Sequence, residues 1–141
     1  MVAAEAFMLY DEDGDTTLYL TILGVPESQP RPRIRRLVNN RVVVYDPSSP
    51  KKRACRNAIS NALAEIGVST TPVFATNLSL KVTVHFHVSN RKKDIDNMLK
   101  FVLDAMQHVV YGNDDTIHYV EVLKIVCATA EQQTNIIVQS L

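Results

Sequence analysis

LSLKVTVHFHVSNRKKDIDNMLKFVLDAMQHVV, residues Leu78–Val110, decides how the rest of the chain is read. From Leu78 to Val88 the apolar side chains fall on every second position: Leu78, Leu80, Val82, Val84, Phe86 and Val88. Lys81, Thr83, His85 and His87 occupy the alternate positions, so the stretch predicts a strand with one buried face. After the basic turn Ser89–Lys93 the period changes. Leu99, Val102, Leu103, Met106, Val109 and Val110 recur at three- and four-residue spacing, which predicts a helix from about Ile95 to Val110. Asp96, Lys100 and Asp104 recur every fourth residue and line another face of that helix.

Outward from this centre the chain alternates between the same two periods. Downstream, Gly112–Asp115 is a turn, and Ile117–Ala128 and Thr134–Val138 read as two strands, expected to pair as a hairpin around Thr129–Gln133. Upstream, Ala54, Ala58, Ile59, Ala62, Leu63 and Ile66 predict a helix over Lys51–Ile66. Ser48 or Ser49 serves as its N-cap, Pro50 lies in its first turn and Gly67 ends it. Arg41–Tyr45 reads as a short strand. Gly24–Arg36 holds three prolines and four arginines; it is expected as an extended loop, neither helix nor central strand. Phe7–Tyr10 and Thr16–Leu23 flank Asp13-Gly14 as a hairpin. Its acidic turn is no calcium loop, because Ile22 stands where the bidentate Glu is required. Together these elements predict one α+β domain over residues 1–141, a small mixed β-sheet with two main helices, and an acidic hairpin extension over 1–16.

The formal net charge of zero conceals a segregation of charge. Glu5, Asp11, Glu12, Asp13 and Asp15 make the first segment acidic. Arg31, Arg33, Arg35, Arg36 and Arg41, then Lys51, Lys52, Arg53 and Arg56, make a long basic stretch interrupted only by Asp46. Arg91, Lys92 and Lys93 form a further cluster. Local positive fields attract polyanions whatever the net charge; the alternative is a set of solvated loops. Cations in the first turn of a helix oppose its dipole, so Lys51, Lys52 and Arg53 hint at a ligand. No apolar run is long enough for a membrane span, and no secretory signal is visible. Cys55 and Cys127 form no metal motif and read as reduced thiols. His85 and His87 could share a metal across two strand positions, but with no third ligand nearby they read as polar-face residues.

Chemistry concentrates in Asp94-Ile95-Asp96-Asn97, with Lys100 one turn later and Asp114-Asp115 after the helix. If Asp115 folds back beside Asp94 and Asp96, three carboxylates converge, as a hard, oxygen-seeking Mg²⁺ ion requires. Such an ion polarises a phosphodiester and readies water for attack. Lys100 would neutralise charge on the phosphoryl group, while Arg91, Lys92 and Lys93 hold flanking backbone. The plain alternatives are an N-cap aspartate, a first-turn acid paired with Lys100, and an ordinary Asp-Asp turn. There is no Walker loop, dinucleotide fingerprint, zinc spacing or Gly-x-Ser-x-Gly elbow, so no organic cofactor is expected.

Asp94-Ile95-Asp96-Asn97, Lys100 and Asp114-Asp115 resemble the signature of the RusA family of Holliday junction resolvases. Gly24-Val25-Pro26 through Arg31-Pro32-Arg33, and Val44-Tyr45-Asp46-Pro47, are similar to the family's basic N-terminal portion. The resemblance extends over roughly Leu18–Val126. It implies a homodimeric, Mg²⁺-dependent endonuclease (Mn²⁺ substituting) that nicks four-way DNA symmetrically in recombination and repair. By the resemblance, Asp94, Asp96 and Asp115 are the metal ligands and Lys100 the essential lysine. DNA-binding residues are expected in Arg31, Arg33, Arg35, Arg36, Lys51, Lys52, Arg53, Arg91, Lys92 and Lys93. The segment Met1–Asp15 has no counterpart typical of the family, and Tyr111 is expected to stand in for a bulky residue that relatives carry near the Asp-Asp turn. Two other readings stay open: a nuclease of flaps, forks and other branched DNA, and a DNA-structure-binding protein without cleavage.

Overall fold

Strand alternation and a single helical crossover between parallel strands account for the architecture. The computed structural model describes residues 2–69 and 71–141. In chain order the elements are β1 (Ala4–Tyr10), β2 (Thr16–Leu23), β3 (Arg33–Arg36), β4 (Val42–Tyr45), α1 (Ser49–Glu65), β5 (Leu80–Val88), α2 (Ile95–Met106), β6 (Ile117–Val126) and β7 (Gln133–Ser140). Five strands form one mixed sheet in the order β1-β2-β7-β5-β6, and β3 and β4 form a separate two-stranded ribbon. Among the described strands only β5 and β6 run parallel, joined through α2, as parallel neighbours must be joined by a crossover.

Both helices lie on one face of the sheet. Leu18 and Leu20 from β2, Val82, Val84 and Phe86 from β5, and Ile136 and Val138 from β7 are buried against Ile59 and Leu63 of α1 and Met98, Phe101, Val102 and Met106 of α2. Each such fully buried side chain contributes about 1.5–3 kcal/mol of transfer free energy, so the alternation read from β5 fixes which face receives the helices. The opposite face carries Lys81, His85 and His87. His87 Nε2 lies 3.2 Å from Asn135 Nδ2, a neighbour across the sheet rather than a companion metal ligand. Phe7 and Tyr19 pack there with ring centroids 6.1 Å apart. The N-terminal hairpin is part of the main sheet: β1 pairs with β2 from Ala4↔Ile22 to Tyr10↔Thr16. Asp11 closes the turn by accepting from the Asp13 and Asp15 amides.

Three expectations are corrected. The strands flanking Thr129–Gln133 are not a hairpin, because β5 lies between them. β6 enters on the outer side of β5 by the crossover, and β7 returns on the inner side, antiparallel to β5 and β2. Within Gly24–Arg36, the residues Arg33–Arg36 pair with Val42–Tyr45; the prolines stop just short of this ribbon, where a missing amide costs no ladder bond. Helix α2 stops at Met106. Gln107 is extended and His108 adopts φ 72°, after which Val109 and Val110 turn into the core as carbonyl acceptors for the Val73 and Phe74 amides. Ser48 does occupy the N-cap position of α1, but its side chain makes no capping bond; its hydroxyl donates to Asp46 Oδ1 at 2.6 Å instead. No helix among the described residues is long and apolar enough to cross a membrane.

Candidate active site

The crossover sets the position of Asp94 and Asp96. β5 ends at Val88, and the Ser89–Lys93 turn delivers Asp94 as the extended residue that opens α2, at φ −72° and ψ 135°. Asp94 makes no side-chain cap bond, and Asp96 stands in the first turn. Both carboxylates are exposed, at the end of the helix whose dipole favours negative charge. Neither takes an ion pair or side-chain hydrogen bond from the described residues, and the same holds for Lys100 and Asp115. The Asp96–Lys100 surface pair therefore does not form.

The turn itself is held from below. Lys124 Nζ donates to the carbonyls of Arg91 at 3.1 Å and Lys93 at 2.9 Å. Lys93 Nζ donates to the Pro26 carbonyl at 2.6 Å, and the Gln29 amide donates to the Asn97 carbonyl at 3.0 Å. These bonds tie the start of the basic segment to the first turn of α2. Lys124 is a positioning residue that sequence reading missed. Its signal was a cation on the inward alternation Val120, Val122, Lys124, Val126, where an apolar side chain is the norm. Lys93, expected as a DNA contact, has its amine engaged within the fold; Arg91 and Lys92 are exposed.

Lys52 requires a plainer correction. It is 8% exposed, with Nζ 2.5 Å from Asp46 Oδ2 and 2.9 Å from Asp104 Oδ2. The helix dipole that made it look like a ligand residue is offset by two carboxylates, so this cation holds the frame rather than facing DNA. Burial works against both charged forms, yet the mutual hydrogen bonds prevail: Asp46 is held below the usual carboxylate range and Lys52 above the usual amine range. Arg56 adds a 2.6 Å bond from Nη2 to the Asp104 carbonyl. Together Lys52 and Arg56 fasten α1 to the C-terminal half of α2. Lys51 reaches Glu27 at 3.3 Å on the surface, and Arg53 is exposed. Arg31, Arg33, Arg35 and Arg36 are all exposed on or beside the β3–β4 ribbon.

Asp115 does not fold back beside Asp94 and Asp96. It lies in the 3-10 turn Asp114–Thr116 that leads into β6, and in a parallel βαβ unit the start of the second strand lies opposite the start of the helix. The twelve residues of α2 separate the two ends by about 18 Å at roughly 1.5 Å per residue. Among the described residues no three His, Cys, Asp or Glu side chains are grouped to hold a metal ion. The donor chemistry nevertheless suits Mg²⁺: Asp94, Asp96 and Asp115 offer exposed, uncommitted carboxylate oxygens. Tyr111, just before the Asp-Asp turn, packs inward. It is fully buried and donates from its hydroxyl to the Leu103 carbonyl at 2.5 Å, and burial drives its phenol far above the ordinary range. Cys55 is likewise a core thiol, pushed up to about 11 by burial.

Comparison with known proteins gives one family match: the family described as Endodeoxyribonuclease RusA, over residues 24–139. No curated protein matches the chain.

Proposed function

The chain belongs to the RusA family of endodeoxyribonucleases, Holliday junction resolvases that act on branched DNA, and from that premise we propose that it resolves four-way DNA junctions by paired nicks, as a Mg²⁺-dependent homodimer. The observation that carries the reading is the polarity of α2. Asp94 and Asp96 stand uncommitted at one end, beside a basic surface, and Asp115 stands uncommitted at the other. A metal site that needs all three carboxylates therefore needs two copies of the chain.

Strand β6 offers a route to that pairing. It is the sheet's edge, ten residues long, with Tyr119, Leu123 and Val126 exposed, and a long apolar edge is a template for another strand. Antiparallel pairing of β6 with its copy about a two-fold axis would keep all helices on one face. It would also bring the Asp94 end of one α2 toward the Asp115 end of the other. Each of two equivalent sites would then take Asp94 and Asp96 from one protomer and Asp115 from the partner subunit. Two sites related by a two-fold axis match two opposed cuts in a two-fold junction.

In this reading Asp94, Asp96 and the partner's Asp115 hold Mg²⁺, which when bound supplies Lewis-acid polarisation of the scissile phosphodiester. Lys100, exposed one turn beyond Asp96, offsets charge developing on the phosphoryl oxygens. Arg91 and Lys92 bind flanking phosphates, and Lys124 and Lys93 keep the turn that carries these groups in place. A labelled synthetic four-way junction, with duplex and flap controls, in Mg²⁺ and in EDTA, tests the proposal. Metal-dependent paired nicks on the junction support it. Equal cutting of flaps would widen the substrate to branched DNA in general, and tight binding without any cutting would overturn the enzymatic reading.

A further inference from the structure

The β3–β4 ribbon stands apart from the rest of the molecule. Every residue from Pro30 to Tyr45 is exposed, and the ribbon shares no ladder with the main sheet. An isolated two-stranded hairpin is marginal in water, so its persistence as an arm points to a partner that it meets. Its composition says which kind. Between Glu27 and Asp46 there are five arginines and no carboxylate, a match for a polyanion. Among those arginines lie bare aliphatic side chains: Ile34 is 72% exposed, Val44 66%, and Val38 at the tip entirely so.

The tip is a defined turn. The Leu37 amide donates to the Arg41 carbonyl at 2.8 Å, and the Asn40 amide to the Leu37 carbonyl at 3.0 Å. The Arg41 amide donates to Asn39 Oδ1 at 3.1 Å, and Asn40 takes the left-handed conformation at φ 63°. Val38 is thereby held at the outermost point. Both legs of the arm are anchored. The first is fastened beside Asp94 and Asp96 by the Lys93–Pro26 and Gln29–Asn97 bonds. The second ends at Asp46, which is locked to Lys52.

We propose that this arm senses the branch: its arginines follow the phosphate backbone while Leu37 and Val38 enter the branch point and pack against unstacked bases. Phosphates cannot reward an aliphatic side chain, whereas base faces can, and aliphatic wedges enter DNA where unstacking is cheapest. A branch point has already lost stacking. From Gln29 to Val38 the chain spans at most about 30 Å at ~3.3 Å per residue, within one helical turn of DNA at about 34 Å. The arm can therefore register the branch while its base sits at the cut phosphate. The inference rests on the reading of the protein as a junction endonuclease.

The test uses the full-length protein in Ca²⁺, to hold binding without cutting, and four-way junctions carrying 2-aminopurine beside the branch. Wild type is expected to raise the fluorescence as the base unstacks. The Leu37→Ser/Val38→Ser variant is expected to lose that rise and at least about tenfold of junction affinity, from lost apolar contact, with duplex affinity and its salt dependence unchanged. Val38→Phe, which keeps an apolar wedge able to stack, is expected to restore the rise. A double-serine variant that keeps both the fluorescence rise and the junction-to-duplex ratio, while wild type cuts junctions, overturns the role of the arm alone. So does a variant whose only change is a weaker dimer, because the tip then faces a second copy, whose acidic Asp11–Asp15 turn would be the competing occupant. Wild type that binds junction and duplex equally overturns this inference and the proposed function together.

Discussion

Replacing Lys52 with methionine separates a framework cation from a DNA contact. Methionine keeps the apolar stem in place and removes the ammonium that bridges Asp46 and Asp104. Breaking a buried ion pair by deleting one partner costs about 3–5 kcal/mol. Two features lower that figure here. The Asp104 side chain is 39% exposed, so water screens its share, and Asp46 retains two hydrogen bonds from the Ser48 amide and hydroxyl. The expected loss is about 2–3 kcal/mol, and at roughly 3 °C per kcal/mol for a domain of this size the melting temperature should fall by roughly 6–9 °C. Thermal and urea unfolding at pH 7 and fixed protein concentration would measure it, with duplex-DNA affinity titrated against salt alongside. Asp46→Asn should cost more than Asp104→Asn, since Asp46 is the less exposed partner. A stability loss below about 0.5 kcal/mol, or a salt slope that falls by about one unit as for a lost phosphate contact, would refute the assignment of Lys52 to the frame.

Asp94→Asn and Asp115→Asn should each abolish cutting while preserving or improving junction binding. If the sites are shared between subunits, mixing the two inactive proteins regenerates one intact site per heterodimer, up to about a quarter of wild-type sites at random exchange; no recovery after exchange would refute sharing. Arg33→Ala and Arg35→Ala, on the exposed ribbon, should each reduce the slope of log affinity against log salt by about one unit if they contact phosphate, and an unchanged slope would make them solvated residues. The lowered Asp46 contributes stability that is fully present above its ordinary value of 3.8 and is lost as pH falls through the lowered native value. Raised Lys52 contributes stability present below 10.5 and lost as pH rises through the raised native value. Urea midpoints should therefore show less loss below about pH 4 for Asp46→Asn than for wild type.

Much of the fold was legible because its determinants are local. The period of two from Leu80 to Val88 and the change of period at Asp94 identify β5 and α2, since a buried face must repeat with the geometry of its element. Asp94, Asp96, Lys100 and Asp115 were legible as types at a spacing. What they do together was not, because a helix between two parallel strands runs back along one face and leaves its two ends at opposite ends of the strands, and this depends on the partner that β6 chooses. The apparent hairpin of β6 and β7 failed for the same reason: alternation reports which side of a strand is buried, never which strand lies next to it. Lys52 and Lys93 look in sequence like Lys92, and only the arrival of Asp46, Asp104 and the Pro26 carbonyl from distant parts of the chain makes them frame rather than surface. Sequence by itself determined the elements, the faces and the chemistry available; tertiary structure decided which charges are already paired inside the fold and which stay exposed at the surface, because pairing and burial are properties of neighbours that the chain brings together only on folding.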